Sequence, residues 1–411
     1  MSFNTAAARL ARRTVLACGA GAASLLTAGA ALAADPTAPT APMPAPMAVP
    51  SMTAPMAANP SPMAFDSGTP LGKIYVTGAL TGMAMTQTHT GPGDSDTRAD
   101  ITNAMVIVQS TSGPVQFYVH AGAYSQPFVG FPYMKATDAV PANYGVVPIA
   151  YVKIQPTAEL SIQAGKLFPL IGDEYTFTFQ NLNVFRGLLV AQEPAVSRGV
   201  QVNYAKGPIA VSLSLNDGFY SNHYNWLTGS LAYTISPADS VVLSGGGSFR
   251  HTAKSTFATP PAQNNAALVD LIWTHTSGKW TISPYLQYSA TPALPEFGFY
   301  RGAKTYGAAI LAKYNLTPEF ALAARAEYEK SDSDGCSASA PPACAPTNLL
   351  FGPSSHAYSL TFTPTYQKGI FFVRGEMSYV RAGNYTPGFG FGPVGVDKDQ
   401  FRALAETGVV F

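Results

Sequence analysis

The segment Phe401-Arg-Ala-Leu-Ala-Glu-Thr-Gly-Val-Val-Phe411 closes the chain. Successive side chains of an extended strand point to opposite faces. Phe401, Ala403, Ala405, Thr407, Val409 and Phe411 therefore share one face, with Arg402 and Glu406 on the other. The first face suits lipid and the second suits water. Many soluble strands alternate in this way, so the weight of the reading depends on how often the pattern recurs along the chain.

It recurs throughout. Sixteen amphipathic runs fall near residues 72–86, 98–110, 113–123, 147–155, 158–167, 196–205, 208–217, 223–236, 239–252, 264–276, 279–290, 302–315, 319–331, 354–367, 370–382 and 400–411. Ile209, Val211, Leu213 and Leu215 alternate with Ala210, Ser212, Ser214 and Asn216, and Tyr358, Leu360, Phe362 and Pro364 alternate with Ser359, Thr361, Thr363 and Thr365. Each even-numbered run except the last ends in a tight turn, such as Lys206-Gly207, Ser277-Gly278 or Lys368-Gly369, built from residues that turns favour. The odd-numbered runs are followed by connections of 5 to 28 residues. Strict rotation of short and long connections predicts an all-β fold, a transmembrane up-and-down antiparallel β-barrel of about sixteen strands, within a range of roughly twelve to eighteen. Short turns face the periplasm and long loops the outside, which puts both termini in the periplasm. Tyr204, Tyr233, Trp280, Tyr314, Phe320, Tyr366 and Phe371 gather beside the short turns, as an interfacial aromatic girdle would.

The amino terminus predicts export. Arg9, Arg12 and Arg13 precede an uncharged run from Thr14 to Ala31, and Ala31-Leu32-Ala33 has the small-x-small form of a cleavage site. Residues 1–33 read as a removed signal peptide, rather than as a retained anchor that could only just span a bilayer. Residues 34–70 read as an Ala/Pro/Met-rich periplasmic linker, with nine prolines between 35 and 62, and residues 71–411 as the barrel. Proline removes backbone donors and favours polyproline II. Met43, Met47, Met52, Met56 and Met63 could in principle offer soft thioether ligands to Cu(I), but composition bias explains them and no metal is expected. A linker of this kind could reach the cell wall.

Composition excludes several classes. Charged residues are 11% and hydrophobic residues 47% of the chain, yet beyond residue 33 no apolar run reaches the length of a membrane helix. Removing the three signal arginines leaves 21 Lys and Arg against 23 Asp and Glu, a mature charge of −2, which does not suggest nucleic-acid binding. Cys336 and Cys344 share a Ser/Pro/Ala-rich loop of an exported chain, where a disulfide is the default.

Four stretches carry a family resemblance: Ile162-Gln-Ala-Gly-Lys-Leu-Phe-Pro-Leu-Ile-Gly-Asp-Glu174, Asn181-Leu-Asn-Val-Phe-Arg-Gly187, Ser197-Arg-Gly-Val-Gln-Val-Asn-Tyr204 and Leu213-Ser-Leu-Asn-Asp-Gly218. Their Gly-Lys strand, Gly-x-Glu loop and Asp-Gly hairpin resemble the β-barrel porin-2 (OmpL-like) family of outer-membrane proteins, loosely from Gly72 to Phe411. The resemblance implies a channel in the bacterial cell outer membrane. The terminal Phe411 also resembles the signal that such barrels present to the barrel assembly machinery. About sixteen strands leave an aqueous bore, where about eight are filled by their own side chains. In general porins the loop after the fifth strand folds inward. That likeness makes Asp173, Glu174 and Arg186, in the connection 168–195, constriction candidates. They are expected to face lumen charges Lys153, Arg325, Glu327, Arg374 and Glu376 across a narrow wet gap, where a transverse field would set charge preference.

The function so predicted is a passive outer-membrane porin for small hydrophilic solutes, without cofactor or catalytic chemistry, and with trimerisation open. None of the six histidines lies in a recognisable catalytic motif. His120 and His275 fall inside predicted strands and read as lumen or girdle residues. The alternative is a non-conducting structural or adhesion barrel.

Overall fold

The structure, a computed structural model, describes residues 56–333 and 347–411. The predicted signal peptide, the linker as far as residue 55, and both Cys336 and Cys344 lie outside the described residues.

Among the described residues the chain forms β1 (Met63–Asp66), β2 (Lys73–Gln87), β3 (Thr97–Ser110), β4 (Val115–Tyr124), β5 (Ile149–Ile154), β6 (Leu160–Leu167), β7 (Ser197–Lys206), β8 (Ile209–Asn216) and β9 (Trp226–Ser236). There follow β10 (Asp239–Ser248), β11 (Ala267–Ser277), β12 (Trp280–Thr291), β13 (Ala303–Asn315), β14 (Phe320–Ser333), β15 (His356–Lys368), β16 (Phe371–Gly383) and β17 (Asp399–Val410). From β2 onward each strand pairs antiparallel with the next, and β17 pairs with β2, closing a sixteen-stranded barrel. Closure leaves no open sheet edge in lipid, where an unpaired backbone group would cost several kcal/mol.

All sixteen runs read from the sequence become strands, in the same order. The largest displacement is at β10, which ends at Ser248 rather than continuing to residue 252. There the Asn225 amide (2.6 Å) and the Ser248 hydroxyl (2.8 Å) both donate to the Arg250 carbonyl, so side chains take over from the ladder. The parity holds as well. On β17 Arg402, Leu404 and Glu406 are buried in the interior while Phe401, Ala405 and Thr407 are exposed outside. At the turn girdle, the Trp280 and Tyr314 rings lie 4.5 Å apart.

The predicted linker is not wholly irregular, because β1 lies inside it. β1 pairs with β2 from Met63↔Val76 to Asp66↔Lys73. Phe411 exchanges backbone hydrogen bonds with Gly78, at 2.9 and 3.0 Å, and there β17 ends. β1 thus covers the stretch of β2 edge that β17 leaves free. Just before it, the Gln367 side-chain amide accepts from Ala57 N (2.6 Å) and donates to Ala57 O (2.8 Å) at the short-turn end of β15, while Met56 is buried beside Phe372 and Val410.

Candidate functional site

The connection between β6 and β7, residues 168–196, carries Phe177, Phe179, Leu182, Val184, Phe185, Leu188 and Leu189, all with no exposed surface. So much apolar area is costly in water. The inner wall offers landing points for it, because Leu311, Ala323, Ala357, Val380 and Leu404 break the polar pattern of the interior and join Leu182, Val184, Phe185 and Leu189 in one cluster. Nearer the short-turn end, Phe177 and Phe179 pack with Met105, Ile107, Phe372 and Val410. The loop therefore lies inside the barrel and crosses to the opposite wall. Gly307 makes room for it, since a Cβ there would meet Leu189 Cγ at 2.7 Å.

A loop inside a barrel must find partners for its own amides and carbonyls. Charged side chains of the wall supply them. Arg374 donates to Thr178 O (2.7 Å) and Asn181 O (3.0 Å), and its Nε pairs with Glu406 at 2.6 Å. Glu376 accepts from Val184 N (2.5 Å) and Phe185 N (2.9 Å). Arg325 donates to Phe185 O (2.9 Å), pairs with Glu174 at 2.6 Å and with Glu327 at 3.1 Å. Glu174 in turn accepts from Gly187 N at 2.9 Å, and Asn183 donates to Thr363 at 2.7 Å.

Of the residues predicted to form the site, Glu174, Arg325, Glu327, Arg374 and Glu376 are brought together. Their arrangement differs from the expected one. Glu174 and Arg325 do not face each other across a wet gap but touch directly, and both are buried. The reason is that the loop reaches the far wall and fills the space its charges were expected to flank. Asp173 is half-buried beside Ser283, and enclosure pushes its carboxyl up to about 7. Arg186 is almost fully buried, lies 3.9 Å from the centroid of the Phe128 ring, and leaves Nε and Nη2 without hydrogen bonds among the described residues. Its backbone bonds instead to Pro127 O (3.0 Å) and Val129 N (2.9 Å), tying the loop to the β4–β5 connection. Lys153 stands apart on β5, in register with Gln116 and Gln163. His120 is buried in the interior, its ring 4.5 Å from that of Phe177, while His275 pairs with Asp239 at 2.8 Å beside Trp273, in the girdle.

Two contributors went unpredicted as site residues. Glu193, at the end of the loop, accepts from Tyr285 and from Gln287 (2.8 Å) on β12, and burial raises its carboxyl well above the usual range. Arg402 donates to Gln87 Oε1 (2.6 Å), Phe128 O (2.8 Å) and Phe131 O. The inward parity of Arg402 was readable in the terminal segment, but its carbonyl partners were not.

A family model for beta-barrel porin-2, OmpL-like, matches residues 73–411. None of the curated proteins matches this sequence. Among solved structures, the anion-selective porin from Comamonas acidovorans aligns over 82% of this chain and 99% of its own, with 10% identity and a TM-score of 0.54. The outer-membrane OmpT of Vibrio cholerae aligns over 85% of this chain and 100% of its own, with 12% identity and a TM-score of 0.52. At such identities the likeness is one of fold. With the family match across the whole barrel, this chain belongs to the beta-barrel porin-2, OmpL-like family and is a porin-like barrel of the bacterial outer membrane.

Proposed function

We propose that the protein is a channel for small hydrophilic solutes whose bore is set by residues 168–196. The observation that carries this reading is the fastening of that loop by Arg325, Arg374 and Glu376, which hold five of its backbone groups at 2.5–3.0 Å. Fixed charges and a fixed loop at the narrowest plane are what a sieve requires. One structural neighbour, the Comamonas acidovorans protein, is an anion-selective porin, which agrees with transport. No catalytic step and no cofactor enter this reading. Phe411 serves as the assembly signal, and the proline-rich segment before β1 as a tether on the periplasmic side.

One observation favours the second reading, a non-conducting structural barrel. At the level of the loop the inward side chains are almost wholly covered, as at Thr363 (0% exposed) and Glu376 (2%). Single-channel recording of the refolded mature protein in a planar bilayer separates the two. Discrete ohmic steps support the channel. A silent bilayer from protein that is folded and heat-modifiable supports the structural barrel.

A further inference from the structure

On four consecutive strands an outward-facing tyrosine is followed, two residues nearer the long-loop rim, by a basic side chain. The pairs are Tyr306 and Lys304 on β13, Tyr328 and Lys330 on β14, Tyr358 and His356 on β15, and Tyr379 and Arg381 on β16. The register sets them side by side, with Tyr306↔Lys330, Lys330↔His356 and Tyr358↔Arg381 as direct partners. The pattern stops at both borders. On β12 the residue beyond Tyr288 is Ala290, and on β17 the residue beyond Phe401 is Asp399.

His356, Tyr358, Arg381, Gly383, Asn384 and Lys398 line a pocket of about 260 Å³ at this place. A Cβ at Gly383 would run into the His356 ring, so the glycine leaves the ring its present place. The nearby carboxylate of Asp399 is already engaged, by the Tyr379 hydroxyl (3.1 Å) and by His89 (3.3 Å). Asp332 stands in register with Lys304, at the far side of the row. Arg381 stands directly opposite Asp399 in the β16–β17 register, yet no ion pair joins the two among the described residues, and its guanidinium lies beside the hydroxyls of Tyr358 and Tyr379 instead. Tyrosines at this height mark the lipid interface. Cations just beyond them therefore stand at headgroup level and outside the lumen, where a permeating solute does not pass.

We propose that this surface binds the phosphate of an outer-leaflet glycolipid headgroup, with Arg381, Lys398 and His356 donating to the phosphate oxygens and the tyrosine row packing on the acyl chains. Guanidinium and ammonium donors to phosphate are among the stronger polar contacts.

The test uses the mature protein in detergent, titrated with diphosphorylated lipid A, with the same lipid stripped of phosphate, and with inorganic phosphate. Binding is read by native mass spectrometry and by the midpoint of heat-modifiable mobility. Diphosphorylated lipid should bind about tenfold or more tightly than the stripped form, and the double variant Arg381→Gln, Lys398→Gln should lose that advantage. Lys368→Gln, at the opposite rim, should keep it. Equal binding of the two lipids, an unchanged double variant, or inorganic phosphate competing as well as the lipid would each overturn the proposal. Heat-modifiability of each variant without lipid verifies that it is folded.

Discussion

Arg374 of β16 and Glu406 of β17 pair at 2.6 Å, and the same guanidinium holds two carbonyls of a loop nearly two hundred positions earlier. One side chain thus joins barrel wall to lumen loop. Arg374→Met would leave Glu406 buried without its cation and release the Thr178 and Asn181 carbonyls from the guanidinium. Removing one member of a buried pair costs about 3–5 kcal/mol. The expected result is a lower urea midpoint together with larger, noisier conductance steps. A variant with unchanged conductance would remove the loop from the bore.

Glu376 holds the loop through two amides, those of Val184 and Phe185. Hydrogen bonds to a charged group contribute about 1.5–3 kcal/mol each. Glu376→Gln keeps the shape and one acceptor, so it should loosen the loop less than Glu376→Ala. Limited proteolysis within residues 176–190 of protein in bilayers would rank the two.

Gly187 lies where a Cβ would run into the carboxylates of Glu327 and Glu174. Gly187→Ala should displace Glu327 and Glu174, the two carboxylates paired with Arg325, and raise conductance, though by less than Arg374→Met, since Arg374 and Glu376 still hold the loop. Gly375→Ala on β16, where a Cβ would make only ordinary contacts with Pro364 (3.7 Å) and Leu404 (3.8 Å), serves as the control.

Neutralising Asp173 and Glu174 together should move the reversal potential in a salt gradient toward anions. Arg325 would then keep only Glu327 as a direct counter-charge. An unchanged potential would place these groups away from the ion path.

The pH response follows from Asp173 and Glu193, whose folded carboxyls are raised, the former from 3.8 to about 7. A raised acid binds more protons folded than unfolded, so its contribution favours the docked loop at low pH and declines as pH rises from about 4 toward 7. Conductance is therefore expected to be smaller at pH 4.5 than at pH 8. A flat profile, or the reverse slope, would contradict the docked carboxyls.

The barrel was legible because its information is local. Alternation repeats every second residue, and turns such as Lys206-Gly207 interrupt it. Inward charges such as Arg325 and Glu376 followed from parity alone. Their partners did not, because Arg374, Glu376 and Arg402 bind backbone groups, and any residue supplies a carbonyl or an amide. The strand Met63–Asp66 was hidden for another reason. Met63 and Phe65 share a face, but four residues between Pro62 and Ser67-Gly68 are too few for an alternation to stand out.

The tie between Ala57 and Gln367 spans 310 positions of the chain. Joining such distant points is entropically costly until the intervening strands have brought them close. The end of the barrel made first is therefore secured last, after the hairpin of β15 and β16 exists. Protection of Met56 and Ala57 from protease then acts as a clock hand for barrel completion, separating a closed cylinder from a nearly finished, still open sheet.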